Sequence, residues 1–128
     1  MIFDTDVLIW VQRGNKEAAQ MITNADERFI SVITYMELLQ NAQNKTQNRL
    51  IKQFLRDFNF ITLSLSENIG HRAAIYIEEY GLSSGLRVGD ALIAATAVEN
   101  NLPLSTANRK HFIAIKELDL KVLRVTNE

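Results

Sequence analysis

Short apolar runs and longer stretches of helical periodicity take turns along the chain. Met1–Phe3 is apolar and ends in Asp4, after which Thr5–Trp10 (TDVLIW) reads as a strand giving way to a helical turn. Lys16–Thr23 (KEAAQMIT) predicts a helix, Arg28–Val32 (RFISV) a short strand, and Thr34–Asn41 (TYMELLQN) a helix with Met36, Leu38 and Leu39 as apolar contacts. From Thr46 to Phe58, Leu50, Ile51, Phe54, Leu55 and Phe58 recur at helical spacing, so this segment is amphipathic. Phe60–Leu65 (FITLSL) is the next strand. Ser66 and Glu67 open a helix that runs to about Tyr80 and is expected to stop at Gly81, where a left-handed residue costs little.

Gly85–Gly89 (GLRVG) is irregular, and Asp90 begins a helix, ALIAATAVEN, whose first turns are apolar on nearly every side and so should be buried. Leu102–Ser105 and Lys121–Val125 are the last strands. Short strands alternating with helices predict an α/β domain, its short central sheet mainly parallel and of about five strands. No repeat, linker or low-complexity stretch divides residues 1–128, which are expected to form a single domain.

Composition narrows the chemistry. A chain of 128 residues, 47% of them hydrophobic, can bury a core without disulfides or a structural metal. Cysteine is absent, which excludes a disulfide framework, a thiolate zinc site and a cysteine nucleophile, and which suits a reducing cytosol. The first apolar run carries Asp4 and Asp6, lacks a basic start and is too short for a bilayer, so the expectation is a soluble cytoplasmic protein with no membrane contact. Lys and Arg number 14 against 15 Asp and Glu, a net charge of -1, so any attraction to nucleic acid has to come from local basic patches.

Three carboxylates stand where α/β sheets place their chemistry. Asp4 follows the first strand at its carboxyl end. It suits a turn into the helix equally well, with Asp6 as the N-cap. Glu37 fits a capping box, Thr34-x-x-Glu37, in which it would reach back to the backbone N–H of Thr34. Asp90 opens an apolar helix, where the N-terminal dipole favours a negative charge by about 0.3–1 kcal/mol. Together the three are candidates for one rim of the sheet. If they converge, their repulsion requires either a retained proton or a hard divalent cation such as Mg²⁺ or Mn²⁺ among them.

The segments carrying these acids resemble a known family across almost the whole chain. Ile2-Phe3-Asp4-Thr5-Asp6-Val7-Leu8-Ile9, Ser31-Val32-Ile33-Thr34-Tyr35-Met36-Glu37-Leu38 and Arg87-Val88-Gly89-Asp90-Ala91-Leu92-Ile93-Ala94-Ala95-Thr96-Ala97 are similar to the three acidic motifs of PIN domains. Leu102-Pro103-Leu104-Ser105-Thr106-Ala107-Asn108-Arg109-Lys110-His111-Phe112 resembles the final motif. Within the family the likeness is to the VapC-type toxin of type II toxin–antitoxin pairs. The resemblance implies a three-layer α/β/α fold and a Mg²⁺- or Mn²⁺-dependent endoribonuclease that cleaves structured RNA such as transfer RNA. It also implies a homodimer, and a cognate antitoxin that holds the enzyme inactive.

By that resemblance Asp4, Glu37 and Asp90 bind the metal directly or through water. Many PIN domains carry a further Asp in the fourth motif, where this chain has Asn108 and His111. Asn108 is the candidate to hydrogen-bond a metal water, with Thr106 or Ser105 orienting it, and His111 is left out of the metal set. A site with one charge fewer favours a single well-held metal. Asp6 is assigned the N-cap role ahead of work at the metal, though Thr5, Asp6 and Thr106 all remain candidates for substrate contact.

Basic residues occur in two groups. Lys45, Arg49, Lys52 and Arg56 fall on one helical face, which reads first as an ordinary solvated surface. Arg87, Arg109 and Lys110 flank the third and fourth motifs and are better placed for a scissile phosphate. A haloacid-dehalogenase-like phosphatase, with Asp4 as nucleophile and Asp6 as acid, is the rival enzyme. It lacks a phosphate-clamping Lys between Lys52 and Lys110, and Ala94 stands where its second late acid belongs. A receiver-like binding module fits less well, because Asp57 precedes its strand.

Overall fold

A computed structural model describes residues 1–125. The elements follow in the order β1 (Ile2–Phe3), α1 (Thr5–Gln12), α2 (Lys16–Asn24), β2 (Arg28–Ser31), α3 (Val32–Asn41), α4 (Lys45–Asp57), β3 (Phe60–Leu63), α5 (Glu67–Ser84), α6 (Val88–Glu99), β4 (Leu104–Thr106), α7 (Arg109–Phe112) and β5 (Leu120–Val122). The five strands form one sheet in the order β3-β2-β1-β4-β5, and every neighbouring pair is parallel. The chain builds outward from β1 through β2 to β3, then returns to lay β4 on the other side of β1. The direction of growth therefore reverses between β1 and β4, the place in an open parallel sheet where a crevice forms outside the carboxyl ends of the strands.

Successive residues of a strand face opposite sides, and β1 shows what that does in so short a segment. Ile2 packs into a core with Ala73, Ala94, Leu104 and Phe112, beneath α5, α6 and α7. Phe3 packs into a second core with Val7, Ile22, Ile30 and Leu55, beneath α1, α2 and α4. The sheet lies between them, giving the expected three layers. The apolar character of α6 has its cause here: Ala91, Ile93, Ala94, Ala95, Thr96 and Ala97 are all buried. On α3, Met36 is half exposed, whereas Tyr35 and Leu39, with Trp10 of α1, pack against the second core.

Several boundaries differ from the sequence expectation, each for a local reason. Residues from Thr5 onward are helical throughout, with Asp4 as the N-cap of α1, so no strand continues past Phe3. The helix expected to stop at Gly81 continues to Ser84, and Gly85, with φ +72°, takes the left-handed conformation that ends it. Helix α6 starts at Val88, which makes Asp90 its third residue and Arg87 its N-cap. The strands expected over Phe60–Leu65 and Lys121–Val125 are shorter, because parallel pairing with β2 ends at Leu63 and pairing with β4 ends at Val122. No described helix is long and apolar enough to cross a membrane.

The two glycines near the end of α5 should respond oppositely to alanine. Gly85→Ala forces a side chain into the left-handed region and is expected to cost about 1–2 kcal/mol. At Gly81 an added Cβ would sit 3.6 Å from Ile77 Cγ2, an ordinary contact, so the substitution should stabilise by about 0.5–1 kcal/mol. Urea unfolding of both variants checks this, and the reverse order would place the helix end at Gly81.

Candidate active site

Asp4 leaves β1 at the point where the sheet reverses its growth. Its backbone N–H donates to Ser105 O of β4 at 2.8 Å, which continues the ladder one step past the strand. Its side chain is 5% exposed. One carboxylate oxygen, Oδ1, accepts from the Thr5 N–H at 2.8 Å, and the other, Oδ2, accepts from the Thr106 hydroxyl at 2.7 Å. Thr106 is the last residue of β4, so this bond ties the carboxyl ends of the two central strands together.

Asp6 lies in the first turn of α1 and does not cap it, because Asp4 holds that position. Its Oδ2 accepts from the Ala107 N–H at 3.1 Å and faces the Thr106 hydroxyl at 3.4 Å. Its Oδ1 is buried without a hydrogen-bond partner. The carboxylate is thus laid onto the fourth-motif loop.

Glu37 is not part of a capping box. Ser31 caps α3, its hydroxyl accepting from the Ile33 N–H, and Thr34 lies fully buried inside the helix. Glu37 Oε1 instead accepts from the Thr5 hydroxyl at 2.6 Å, and that hydroxyl also bonds Thr34 Oγ1 at 3.0 Å. The other oxygen lies against α6: a Cβ built on Gly89 would come within 3.3 Å of Glu37 Oε2. Only glycine at this position leaves the carboxylate undisturbed, and it brings Glu37 against the residue next to Asp90.

Asp90 Oδ2 accepts from the Arg87 N–H at 3.1 Å and lies 3.0 Å from His111 Nδ1. The Asn108 amide nitrogen is 2.9 Å from the same ring nitrogen, so Asn108 reaches the acids through His111. With a proton on Nδ1 the ring donates to Asp90 and cannot accept from the Asn108 amide; without that proton it accepts from Asn108 instead. His111, named in the fourth motif and left out of the metal set, stands between Asn108 and Asp90, and its spacing of three from Asn108 brings those two side chains together. Thr5 and Thr106, expected to meet substrate, are buried with their hydroxyls committed to carboxylates, which makes them positioning residues. Arg87, Arg109 and Lys110 are exposed at the starts of α6 and α7, beside the acids. Lys45, Arg49, Lys52 and Arg56 are exposed along α4.

The family model described as PIN domain matches residues 1–118. Ribonuclease VapC of Rickettsia bellii is 31% identical over 127 residues, covering 94% of this chain and 93% of that protein. The chain belongs to the VapC group of the PIN domain family. Among solved structures, a toxin–antitoxin complex from Klebsiella pneumoniae matches with a TM-score of 0.82 at 31% identity, covering 96% of this chain and 97% of that one. VapBC-1 from nontypeable Haemophilus influenzae matches with a TM-score of 0.80 at 25% identity, covering 96% and 98%.

The electrostatics of this PIN domain set its acids against one another. Burial pushes the Asp4 carboxyl well above its ordinary value, and the neighbouring Asp6 and Asp90 charges push it further, against the lowering effect of the Thr106 bond. Burial also raises Asp6, opposed by the Ala107 N–H. Among the described residues no Lys or Arg forms an ion pair with Asp4, Asp6, Glu37 or Asp90. Nor are any three acidic or histidine side chains there already closed around a common point. The donor set nevertheless fits a hard divalent cation: it is all oxygen, no Lys or Arg among the described residues pairs with it, and it includes the orphaned Asp6 Oδ1.

The raised Asp4 has a consequence for stability. A folded state that holds a proton the unfolded chain has released is favoured at low pH, and this advantage is lost as pH rises through the folded-state value. Asp4→Asn removes the titration and keeps the Oδ1 acceptor for the Thr5 N–H. In metal-free buffer the stability of this variant relative to the parent should therefore increase from about pH 4, the ordinary carboxylate range, toward neutrality. Chemical denaturation across that range measures it, and a difference independent of pH would contradict the assignment.

Proposed function

We propose that this VapC-group PIN domain is an endoribonuclease toxin, restrained by a cognate antitoxin, that uses Mg²⁺ or Mn²⁺ held by Asp4, Glu37 and Asp90. The observation that carries the reading is the presence of carboxylates from three distant chain segments along one rim at the sheet's reversal point, where among the described residues no Lys or Arg pairs with them and, of the basic side chains, His111 alone contacts Asp90. Ribonuclease VapC of Rickettsia bellii supports the activity. The toxin–antitoxin complex from Klebsiella pneumoniae supports the partner.

When bound, such a cation polarises a phosphate and lowers the pKa of a water, supplying electrophile and nucleophile for phosphodiester cleavage. The protein's own part is to present oxygens in fixed positions. Thr106 and the Thr5 N–H orient Asp4, the Thr5 hydroxyl orients Glu37, and the Arg87 N–H with His111 occupies one oxygen of Asp90. Arg87, Arg109 and Lys110 line the exposed approach, where they attract the RNA backbone and hold phosphates beside the acids. Structured RNA such as transfer RNA is the proposed substrate.

Purified protein incubated with total cellular RNA should cleave it with Mg²⁺ and fail to do so with chelator. Asp90→Ala and Asp4→Asn should each lower the rate by more than about 100-fold, beyond the loss typical of residues that only support metal ligands. Cleavage that survives chelator or the Asp90 substitution would overturn the mechanism. Hydrolysis of small phosphate esters with none of RNA would point instead to phosphatase chemistry.

A further inference from the structure

We propose that Asp6 is itself a cation ligand of this site, through Oδ1, and supplies the negative charge that Asn108 does not. The inference rests on the metal-dependent reading above and goes beyond it, since that reading uses Asp4, Glu37 and Asp90. Its basis is that the hydrogen bonds of Asp6 leave half of its side chain unexplained. Capping of α1 is done by Asp4. Bracing of the fourth-motif loop needs one acceptor, and Oδ2 provides it for the Ala107 N–H at 3.1 Å. Asparagine or serine would make the same brace without charge. The second oxygen is buried and accepts from no N–H or hydroxyl among the described residues, while the carboxyl group lies against that of Asp4 and its desolvation is offset by no Lys or Arg.

The location of that carboxylate is equally specific. A single hydroxyl, Thr106 Oγ1, lies 2.7 Å from Asp4 Oδ2 and 3.4 Å from Asp6 Oδ2, so both acids meet at the end of β4. The same hydroxyl accepts from the Asn108 N–H at 3.0 Å, which places Asp6 beside the backbone of the fourth motif. The Asn108 side chain meanwhile is turned to His111 and brings no charge. Asp6 therefore brings, from the first turn of α1, a carboxyl group to the region where the fourth motif contributes only a neutral amide.

A ligand and a brace respond differently to loss of charge alone. Asp6→Asn keeps an acceptor for the Ala107 N–H, and Mn²⁺ binding can be measured without RNA from the electron paramagnetic resonance of free Mn²⁺. With metal-free protein, Asp6→Asn should weaken Mn²⁺ binding by at least about 10-fold. Asp57→Asn, an exposed acid at the end of α4, should bind as the parent does. Thermal unfolding of metal-free Asp6→Asn should occur no lower than that of the parent, which separates ligand loss from misfolding; Asp6→Ser takes its place if the amide is not tolerated. Parent-like Mn²⁺ affinity in the Asp6 variant, with affinity lost in Asp4→Asn, would overturn this proposal and leave the three-acid reading standing. Parent-like affinity in both would overturn the two together.

Discussion

The hydroxyl of Thr106 donates to a carboxylate of Asp4 that is 5% exposed, across the boundary between the two central strands. Carboxylates are rarely buried without a positive partner, since desolvation disfavours the charged form. Here the compensation is two hydrogen bonds, one from the Thr106 hydroxyl and one from the first N–H of α1, that of Thr5. The arrangement requires β1 and β4 to be parallel neighbours in the observed register, with Phe3 opposite Ser105. A slip of one residue would turn Thr106 away and exchange Ile2 with Phe3 between the two cores. The packing that forms the sheet thus also sets the chemistry at its edge.

The remaining acids reach the same rim by separate devices. Thr5 turns Glu37 inward from α3, and Gly89 leaves room for it against α6. The Arg87 N–H and His111 restrain Asp90, and Ala107 restrains Asp6. Asp4 and Asp90 also sit at the starts of α1 and α6, where helix dipoles lower the cost of negative charge by about 0.3–1 kcal/mol each at exposed ends. That offset is small beside the desolvation of Asp4. Local stability is therefore given up at this rim, and any cation bound there under the proposed function would restore it by mass action.

A second polar cluster shows the contrast. Arg72 pairs with Glu99 and Glu117, and the Tyr76 hydroxyl also donates to Glu117, joining α5, α6 and the segment before β5. The Glu117 carboxyl is held below its ordinary value by the Tyr76 hydrogen bond, with burial opposing and Arg72 adding to it. Opposite charges are matched there and the acid is stabilised in its charged form. At the switch point Asp4 and Asp6 share a buried position with no opposite charge from Lys or Arg among the described residues, and burial raises both.

Much of the architecture was written in local pattern. Apolar runs of strand length between helical periods determined a parallel α/β domain, because burial on both faces demands continuous apolar strands and two-sided helix cover. The run ALIAATAVEN announced a buried helix for the same reason, and the positions of Asp4, Glu37 and Asp90 after strands or at helix starts marked the acids. Pattern could not determine what each acid bonds to, since those partners lie far along the chain: Thr106 for Asp4, Ala107 for Asp6, Thr5 for Glu37, His111 for Asp90. The Thr34-x-x-Glu37 spacing suggested a local cap, and the fold spent both residues on Thr5 instead. Only the tertiary structure decided that Asp4 caps α1, that Gly85 and not Gly81 ends α5, and that Asp6 keeps one buried oxygen free. Spacing determines which faces a segment can bury; the identity of a buried polar group's partner is settled by the packing that brings distant segments together.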